Sequence, residues 1–487
     1  MNTKTFCRGA WLLPLAVFFS GCTKTENPDQ YIKTDMISCS FRGTDALPVR
    51  IEVESSPNAW KAEASATWIR ITEQTDSYIV LNADDNPDST EREGEVTIQA
   101  GSLTRTIRVT QASDIRLQSS YYSFKDYTMG AVISPNARYA GGYIGILDEN
   151  DRNQWILNVV VTDLRDGKEY WLEPFSQNLY ALYDPCAVTD GGDIFFHCED
   201  GRIVCFGLSG DITVLDNVPG AGKPWVSQVA SDESGVWVGW CSGGETVYSP
   251  VKWTDGTPQI LSKPETTYRG GEWYQGCMAR GCSLDGSIVY GTAWEGFDAG
   301  LIWWDASGTP RWVGEKVREI KPVKMLDPKT QEYYDYNLVD GIMGDGTSTC
   351  ISPSGKWIAG TYRTEELDEQ ETGIVATSCP AFYDTENDEV YLFPEFEGAA
   401  GLTVTDDGVG VVGIGATSGI LTSTLMVDIT AGVELGSSTD WIYDNLGIII
   451  PDGSYLTYIS PDGATAFGYD LKGEVEMMRM WCVAPKP

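Results

Sequence analysis

Short apolar runs separated by polar turns recur from about residue 35 to the end of the chain, a pattern that predicts strands and not helices. Six such runs lie between residues 35 and 113, at short spacing. Val96 and Ile98 share one face of a predicted strand, and Ile107 and Val109 share a face of the next. This alternation predicts a small antiparallel sandwich of the Ig-like type. The runs are VRIEV (49–53), AWKAE (59–63), WIRI (68–71), YIVL (78–81), GEVTIQ (94–99) and LTRTIRVT (103–110).

A second pattern repeats seven times beyond residue 130. Each copy begins with Ser or Thr and passes through a turn that contains Asp, Asn or Gly. Apolar residues follow, and they end in Gly in six of the seven copies. The steps between copies are 55, 42, 52, 69, 53 and 55 residues. The copies start at Ser134, Thr189, Ser231, Ser283, Ser352, Thr405 and Ser460.

A repeat of this length built from turns and strands is typical of a β-propeller. One small sheet cannot bury both of its faces, whereas sheets arranged around an axis cover one another. In turns such as SPDG (460–463), Pro fixes φ, Asp bonds to its own backbone, and Gly takes a conformation that other residues avoid. The chain is therefore predicted to be all-β. Residues 114–487 resemble seven-bladed propellers, with residues 117–124 completing the last blade.

The predicted N-terminal sandwich, residues 35–113, resembles a known domain family. The segments NAWKAEASATWIRI, ADDNPDSTEREGEVTIQ and RTIRVTQAS carry the resemblance, together with Trp60, Trp68, the turn before Arg92 and the closing VTQ (109–111). They are similar to the BACON domain, a name that abbreviates Bacteroidetes-associated carbohydrate-binding often N-terminal. The resemblance implies company with glycan-degrading modules. We expect both Trp side chains in the core, and a ligand platform is the alternative.

The start of the chain resembles a bacterial lipoprotein signal. Lys4 and Arg8 precede an apolar run that is too short to span a bilayer, and two small residues then lead directly to Cys22. In such signals cleavage precedes the cysteine and its thiol is acylated; an ordinary signal peptide is the alternative. We expect residues 1–21 to be the signal peptide.

Residues 22–34 read as a flexible tether. Its acidic Glu26 and Asp29 resemble the export tags of surface lipoproteins in Bacteroidetes. We therefore expect an outer-membrane lipoprotein at the cell surface, held to the membrane by its N-terminal lipid only.

The chain is strongly acidic. It has 70 Asp and Glu against 34 Lys and Arg, and its formal charge of −36 becomes −38 without residues 1–21. Such a surface repels nucleic acid and anionic headgroups, so we expect no nucleic-acid partner. Neutral ligands, cations and basic partner surfaces remain open.

The cysteines give no sign of a metal or cofactor. Ten of the 12 remain after Cys7 and Cys22 are set aside, and they form no CxxC pair and no metal-ligand spacing. In an exported protein they are either buried thiols or a few disulfides. Cys277 and Cys282 are close enough in sequence to pair across a loop.

In a propeller the repeated Ser/Thr turns lie on one face, and the loops after each second strand lie on the opposite face, where ligands commonly bind. The predicted loops there are 240–248, 292–300 and 361–370, joined by the link 267–281. Aromatic rings stack on sugar C–H surfaces, and Arg side chains hydrogen-bond to hydroxyl groups. The candidate ligand-binding residues are Trp240, Tyr268, Arg269, Trp273, Tyr274, Arg280, Trp294, Tyr362 and Arg363.

The stretch RGGEWYQG is the strongest of these candidates, because its glycines leave little core for Trp273 and Tyr274 to fill. The longest step of the repeat, 69 residues, contains an insertion of mixed charge at 315–346. We expect this insertion to be a solvated arm, and a partner contact or a lid is the alternative.

Most tests for an enzyme fail. His197 is the sole histidine, which excludes His-rich metal sites and leaves one candidate base for a Ser-His-Asp triad. A glycosidase with paired carboxylates stays open, because 70 acids offer many pairs.

We therefore predict a lipid-anchored envelope protein that binds a glycan, mucin or polysaccharide, without cleaving it. The alternatives are a protein-interaction scaffold in an envelope complex and a propeller-type glycosidase or lyase.

Overall fold

The computed structural model describes residues 30–43, 46, 48–88, 90–113, 119–123, 131–147, 155–172, 182–198, 201–244, 246–294, 300–344, 350–415, 421–450, 454–470 and 479–486. The predicted signal peptide, Cys22 and most of the predicted tether lie outside these residues. The chain divides into two compact units, residues 1–114 and 115–487. The described parts of both are built mainly of strands. Within the described residues, no helix is long and apolar enough to cross a membrane.

The first unit consists of two four-stranded sheets. Its strands are β1 (Tyr31–Thr34), β2 (Ser38–Phe41), β3 (Val49–Ser56), β4 (Trp60–Ala64), β5 (Ile69–Gln74), β6 (Tyr78–Ala83), β7 (Arg92–Ala100) and β8 (Leu103–Gln111). One sheet has the order β1-β3-β6-β5 and the other β2-β8-β7-β4. β2 runs parallel to β8, whereas the other pairs are antiparallel.

The core of the first unit follows the apolar alternation of the sequence. Val96, Ile98, Ile107 and Val109 are fully buried, and Val96 lies opposite Ile107. β7 and β8 therefore pair with these four side chains on one buried face. Gly101, at φ +59°, makes the tight turn between them, a conformation that favours glycine.

Neither conspicuous Trp of the first unit stands free on its surface. Trp60 is buried, and its indole N–H donates to the backbone oxygen of Asp76 at 3.1 Å. Trp68 packs against the same core, and the guanidinium of Arg92 lies 4.6 Å from its ring centre. Both side chains therefore serve the core.

The second unit has one α-helix, α1 (Ser438–Leu446), in its described part, and two short 3-10 helices, Asp232–Ser234 and Glu315–Val317. The hydroxyl of Ser437 caps α1, and Gly447 ends it in the left-handed conformation. The strands are β9 (Ser119–Ser123), β10 (Ala131–Ile133), β11 (Tyr139–Leu147), β12 (Trp155–Asp163), β13 (Lys168–Trp171), β14 (Leu182–Val188), β15 (Ile194–Cys198), β16 (Ile203–Phe206), β17 (Ile212–Val214), β18 (Gly222–Val229), β19 (Val236–Gly243), β20 (Tyr248–Thr254), β21 (Thr257–Ile260), β22 (Cys277–Cys282), β23 (Val289–Ala293), β24 (Leu301–Trp304), β25 (Pro310–Trp312), β26 (Glu319–Leu326), β27 (Tyr333–Met343), β28 (Trp357–Leu367), β29 (Ile374–Asp384), β30 (Glu389–Leu392), β31 (Ala400–Val404), β32 (Val409–Gly415), β33 (Leu421–Asp428), β34 (Val433–Ser437), β35 (Ser454–Ile459), β36 (Ala466–Asp470) and β37 (Arg479–Pro485).

The strands described in the second unit form seven antiparallel sheets in chain order. Five of them contain four consecutive strands each, and β26 to β30 form a five-stranded sheet. The last sheet contains β35, β36 and β37 and is completed by β9, with Tyr122 opposite Cys482. Successive up-and-down sheets of this kind are the units of a propeller. The predicted return of residues 117–124 to the last sheet is observed for the described strand β9.

The repeated turns share one hydrogen-bond pattern. In six of the seven, the Ser or Thr hydroxyl accepts a hydrogen bond from a backbone N–H four or five residues later, as Ser352 does from Trp357 at 3.1 Å. Ser231 differs, because its hydroxyl donates to the backbone oxygen of Leu284. In these six turns the Ser or Thr side chain thus stabilises the turn before the next strand begins.

Hydrogen bonds also join one turn to the next. A carboxylate or backbone oxygen of one turn accepts from a group of its neighbour, and Tyr458, close to the last turn, donates to the first. These bonds join Asn136 to Asp190, Asp190 to Asp232, Ser231 to Leu284, Leu284 to Pro353, Ser354 to Asp406, and Tyr458 to Pro135.

The glycine that ends the repeat has a structural cause in three copies. The first strands of these sheets, β18, β22 and β35, each carry a bulge. A Cβ on the facing glycine would lie 1.8 to 2.0 Å from a backbone oxygen of the bulged strand, closer than atoms can approach. Only glycine fits opposite the bulge. The three glycines are Gly239, Gly291 and Gly468.

The predicted arm at 315–346 contains an ordered hairpin, β26 and β27, that widens the fifth sheet. Two of its basic side chains are paired within the hairpin, Lys321 with Asp340 at 2.7 Å and Lys324 with Asp335 at 2.6 Å. The described part of the predicted arm is therefore in large part an extension of the sheet.

The ten described cysteines form no disulfide. Cys277 and Cys282 are the two ends of the single strand β22. At about 3.3 Å per residue they are roughly 16 Å apart, well beyond the reach of a disulfide. The pairing left open by their sequence spacing is excluded by this strand.

Candidate functional site

An open cleft of about 490 Å³ lies between the turn after β19 and the segment that precedes β22. The backbone N–H of Tyr248 donates to the oxygen of Gln275 at 2.7 Å, and Tyr248 and Gly276 form a parallel bridge. These bonds hold the two walls together. The described lining residues are Ser242, Gly243, Gly244, Thr246, Val247, Trp273 and Tyr274.

The two aromatic residues of the cleft differ in their surroundings. Trp273 is half-buried, its indole N–H donates to the oxygen of Pro264 at 2.8 Å, and its ring stacks on Trp312 at 6.1 Å between centres. Tyr274 is 76% exposed. Trp273 is thus part of a fixed wall, whereas most of the surface of Tyr274 is accessible to solvent.

A lysine lies beside the aromatic wall. The ammonium of Lys263 is 5.7 Å from the centre of the Trp273 ring and 3.4 Å from the hydroxyl oxygen of Thr246. Lys263 is half-buried, near the start of the polar stretch that follows β21. The cleft therefore offers an exposed ring, hydroxyl groups and one positive charge.

Trp240 lies behind this cleft, within β19 and not in a loop as predicted. Its ring stacks on Trp225 at 5.2 Å and meets the edge of Tyr248 at 5.1 Å. The ring of His197, the sole histidine, lies 3.7 Å from that of Trp225. These rings form a half-buried row that supports the strand beneath the cleft.

Arg269 is held by a buried ion pair away from the cleft. Its guanidinium donates to both carboxylate oxygens of Glu365 at 2.8 and 2.9 Å, and also to the backbone oxygen of Asn337. Glu365 is fully buried and also accepts from the N–H of Val339. Arg363 approaches the same carboxylate at 3.3 Å.

The charge of Glu365 is stabilised by these partners. Burial alone would raise the pKa of this carboxyl, but the hydrogen bonds from Arg269 and from the Val339 N–H, with the nearby positive charges, outweigh burial and hold the pKa below its ordinary value. Arg269 and Arg363, predicted as ligand contacts, therefore converge on a structural carboxylate.

The other predicted residues are placed separately. Tyr268 is buried, with the edge of its ring against Trp312 at 5.0 Å. Arg280 is the bulged residue of β22, and its guanidinium donates to the Thr292 hydroxyl at 3.2 Å. The backbone N–H of Trp294 donates to Gly276 beside the cleft.

Tyr362 lies within β28, half-buried. Burial, together with the charge of Asp340, raises the pKa of its hydroxyl. Of the nine candidates, Trp273 and Tyr274 meet at the cleft and Trp240 and Trp294 adjoin it. The predicted loop 361–370 is for most of its length the end of a long strand.

Ser242 and Thr246 line the cleft and Lys263 lies beside it, and sequence reasoning did not single out any of the three. The first two lie in the predicted loop 240–248, but their hydroxyl groups are not among the aromatic and Arg side chains by which candidates were chosen. Lys263 lies in no predicted loop. Its position depends on the path of the chain after β21, for which the sequence carries no local signal.

A second cavity lies among the repeated turns, where the ends of several first strands approach one another. It measures about 30 Å³, enough for one or two water molecules and too small for a sugar. Its lining includes Val229, Cys282, Val404 and Ile459, the last residues of β18, β22, β31 and β35.

Residues 58–112 match the model of a known family, BACON, described as "Putative binding domain, N-terminal". This match confirms the resemblance seen in the sequence over that part of the first unit. No curated protein matches the chain.

The chain is also similar to several solved structures. The Dos1 propeller is 12% identical, with 76% of this chain and 95% of that chain covered and a TM-score of 0.42. The propeller domain of the trilobed protease from Pyrococcus furiosus is 10% identical, with coverage of 84% and 97% and a TM-score of 0.35. TolB from Acinetobacter baumannii is 12% identical at a TM-score of 0.29, and the match spans 63% of this chain and 60% of that one. Likeness at this level carries no argument about function.

The fold thus defines an all-β protein in which a BACON-like unit precedes a β-propeller unit.

Proposed function

We propose that this protein is a glycan-binding protein of the cell envelope, lipid-anchored at Cys22 in the outer membrane and exposed at the cell surface. In this proposal the two N-terminal sheets form an Ig-like sandwich and the seven later sheets close into a seven-bladed ring. The ligand is a mucin glycan or a polysaccharide, bound without cleavage.

The observation that carries the proposal is the cleft beside Tyr274. A ring that is 76% exposed stands next to a second, fixed ring and above small side chains with hydroxyl groups. Its volume of about 490 Å³ is within the range of ligand sites. Sugars present C–H faces to aromatic rings and hydroxyl groups to polar side chains, and this cleft offers both kinds of partner.

The BACON match supports a role in carbohydrate binding, but the first unit itself offers no platform at Trp60 or Trp68, because both side chains pack in its core. We therefore assign binding to the propeller unit, with the first unit as a spacer.

Calorimetric titration of the chain from residue 23, which keeps both compact units, tests the proposal. The panel contains mucin O-glycans and plant polysaccharides, and each mixture is analysed for products. We expect binding without new products, lost in Tyr274→Ala. Trp171→Ala is the matched control, because Trp171 is 50% exposed on the outer strand β13 and does not line the cleft.

Cleavage of any glycan would overturn the non-catalytic assignment in favour of a glycosidase or lyase. Binding that survives in Tyr274→Ala would move the site elsewhere. No binding across the panel would reject a glycan ligand and favour the protein-interaction scaffold.

A further inference from the structure

We infer that the cleft selects acidic glycans, that is, sugars that carry a carboxylate or a sulfate group, and that Lys263 is the residue that selects them. This inference rests on the proposed glycan site and adds the chemical class of its ligand. The same charge chemistry has three sources, namely sialic acid, uronic acid and sulfate esters, and the experiment below separates them.

Lys263 differs from other partly buried cations of the second unit. It is half-buried, and its described contacts are the Thr246 hydroxyl and the Trp273 ring; among the described residues, no carboxylate forms an ion pair with its ammonium. Arg269 and Lys321, by contrast, pair with Glu365 and Asp340 at 2.8 and 2.7 Å. In a chain with twice as many acids as bases, an unpaired lysine in a cleft is conspicuous.

Withdrawing an ammonium from water is unfavourable unless an opposite charge compensates. The Trp273 ring, at 5.7 Å, compensates in part through its negative face. An anionic group of a bound ligand would supply the missing partner as a charge-assisted hydrogen bond. The site therefore becomes more favourable when an acidic ligand enters.

The acidity of the whole protein makes a local cation necessary. A formal charge of −36 repels anions at long range. Salt screens charges beyond about 8 to 10 Å, however, so an ammonium in direct contact with the ligand decides the outcome inside the cleft. A sugar ring stacked on Tyr274 would place its acidic group toward the wall that Trp273 and Lys263 form.

Paired ligands test the inference. The chain from residue 23 is titrated with sialylated and desialylated mucin O-glycans, with polygalacturonate and its methyl ester, and with sulfated and desulfated mucin glycans. We expect the acidic member of at least one pair to bind about tenfold or more tightly, the effect of one charged hydrogen bond. The pair that shows the difference identifies the source of the charge.

Variants then assign the preference to one side chain. Lys263→Gln should abolish the difference between acidic and neutral members, and Lys263→Arg should keep it. Lys356→Gln is the matched control, because Lys356 is also half-buried and its ammonium lies 5.2 Å from the ring of Trp357, outside the cleft. This control should leave the preference unchanged, and equal melting temperatures show that all variants fold.

Equal affinity for acidic and neutral members, with both lost in Tyr274→Ala, would overturn the inference and leave the glycan site intact. A preference for acidic members that survives in Lys263→Gln would also overturn it. Absence of binding to every glycan would reject the site and the inference together. Added salt should weaken acidic binding in the wild type and have little effect in Lys263→Gln.

Discussion

The two ends of the seven later sheets differ in how closely they follow the repeat. At one end, six of seven turns are held by the same hydroxyl-to-backbone hydrogen bond, and further bonds join one turn to the next. At the other end, the described connections share no common form. One lines the cleft, while another joins two strands of eleven residues each, β28 and β29.

This difference separates stability from recognition. The turn recurs because every sheet needs a tight connection between its first two strands. The side chains of the turn are therefore engaged in contacts within the fold. The cleft is formed by one set of the described connections, and the side chain of Tyr274 within it is 76% exposed. We therefore expect substitutions at the repeated positions to act on unfolding and substitutions at the cleft to act on binding.

The largest effect on stability is expected from Gly291→Ala. A Cβ there would lie 2.0 Å from the backbone oxygen of Met278, so the bulge in β22 and its neighbours must move. We expect the free energy of unfolding to fall by more than about 4 kcal/mol, measured by urea denaturation. In Gly308→Ala the Cβ meets nothing within 4 Å, and φ of +78° is the remaining obstacle, so a loss of about 1 kcal/mol is expected. Equal losses would refute the steric explanation.

Breaking the ion pair of Glu365 should have the next largest effect. Glu365→Gln leaves Arg269 without its buried partner, for an expected loss of about 3 kcal/mol in chemical denaturation at neutral pH. Asp84→Asn, which removes the partner of Arg70 from an exposed pair in the first unit, should change little. A small effect at Glu365 would mean that the pair does not support the fold.

The same pair predicts a pH dependence. Because the folded pKa of Glu365 lies below its ordinary value, the stability that it contributes is complete above the ordinary glutamate pKa of about 4.3 and disappears as the pH falls through the lowered value. The difference in stability between wild type and Glu365→Gln should therefore shrink on acidification below about pH 4. A difference that grew there would contradict the assigned sign.

A smaller effect is expected at a repeated turn. Ser352→Ala removes the hydroxyl that accepts from the N–H of Trp357, and this buried group then has no partner, at a cost of about 1 to 2 kcal/mol. Ser209→Ala, at an exposed turn outside the repeat, serves as the control and should stay within about 0.5 kcal/mol. Melting temperatures of the two variants would coincide if the hydroxyl were unimportant.

The smallest effect on stability is expected at the cleft. Tyr274→Ala should leave unfolding within about 0.5 kcal/mol of wild type, because the side chain is 76% exposed, and yet abolish glycan binding. Calorimetric titration and denaturation of one preparation measure both quantities. If Tyr274→Ala lowered stability as well as binding, the proposed separation of stability and recognition between the two ends of the sheets would be wrong.

The sequence predicts the regular end well and the irregular end only in part. Turns that begin at Ser352 or Ser460 are governed by contacts within five residues, so their chemistry is visible in the sequence. The exposure of Tyr274 follows in the same way from the glycines around it.

Non-local contacts account for what was missed. Lys263 lies beside the cleft because its ammonium packs against the ring of Trp273. Arg269 points away from the cleft because Glu365, 96 residues later in the chain, binds its guanidinium. Arg280 is the bulged residue of β22, and the bulge becomes apparent only when this strand is paired with the strand that contains Gly291. None of these contacts recurs from one sheet to the next, so the sequence repeat does not predict them.

The pairing of β9 with β37 has a consequence for the time course of folding. Tyr122 and its partner Cys482 are separated by almost the whole second unit, so the early strand must wait for the last one. At about 5 to 20 residues per second, synthesis of the intervening chain takes roughly 20 to 70 seconds. During that interval β9 lacks its neighbour and the final sheet lacks its outer strand. Completion of the unit is thus a late event, because it joins its first described strand, β9, to its last described strand, β37.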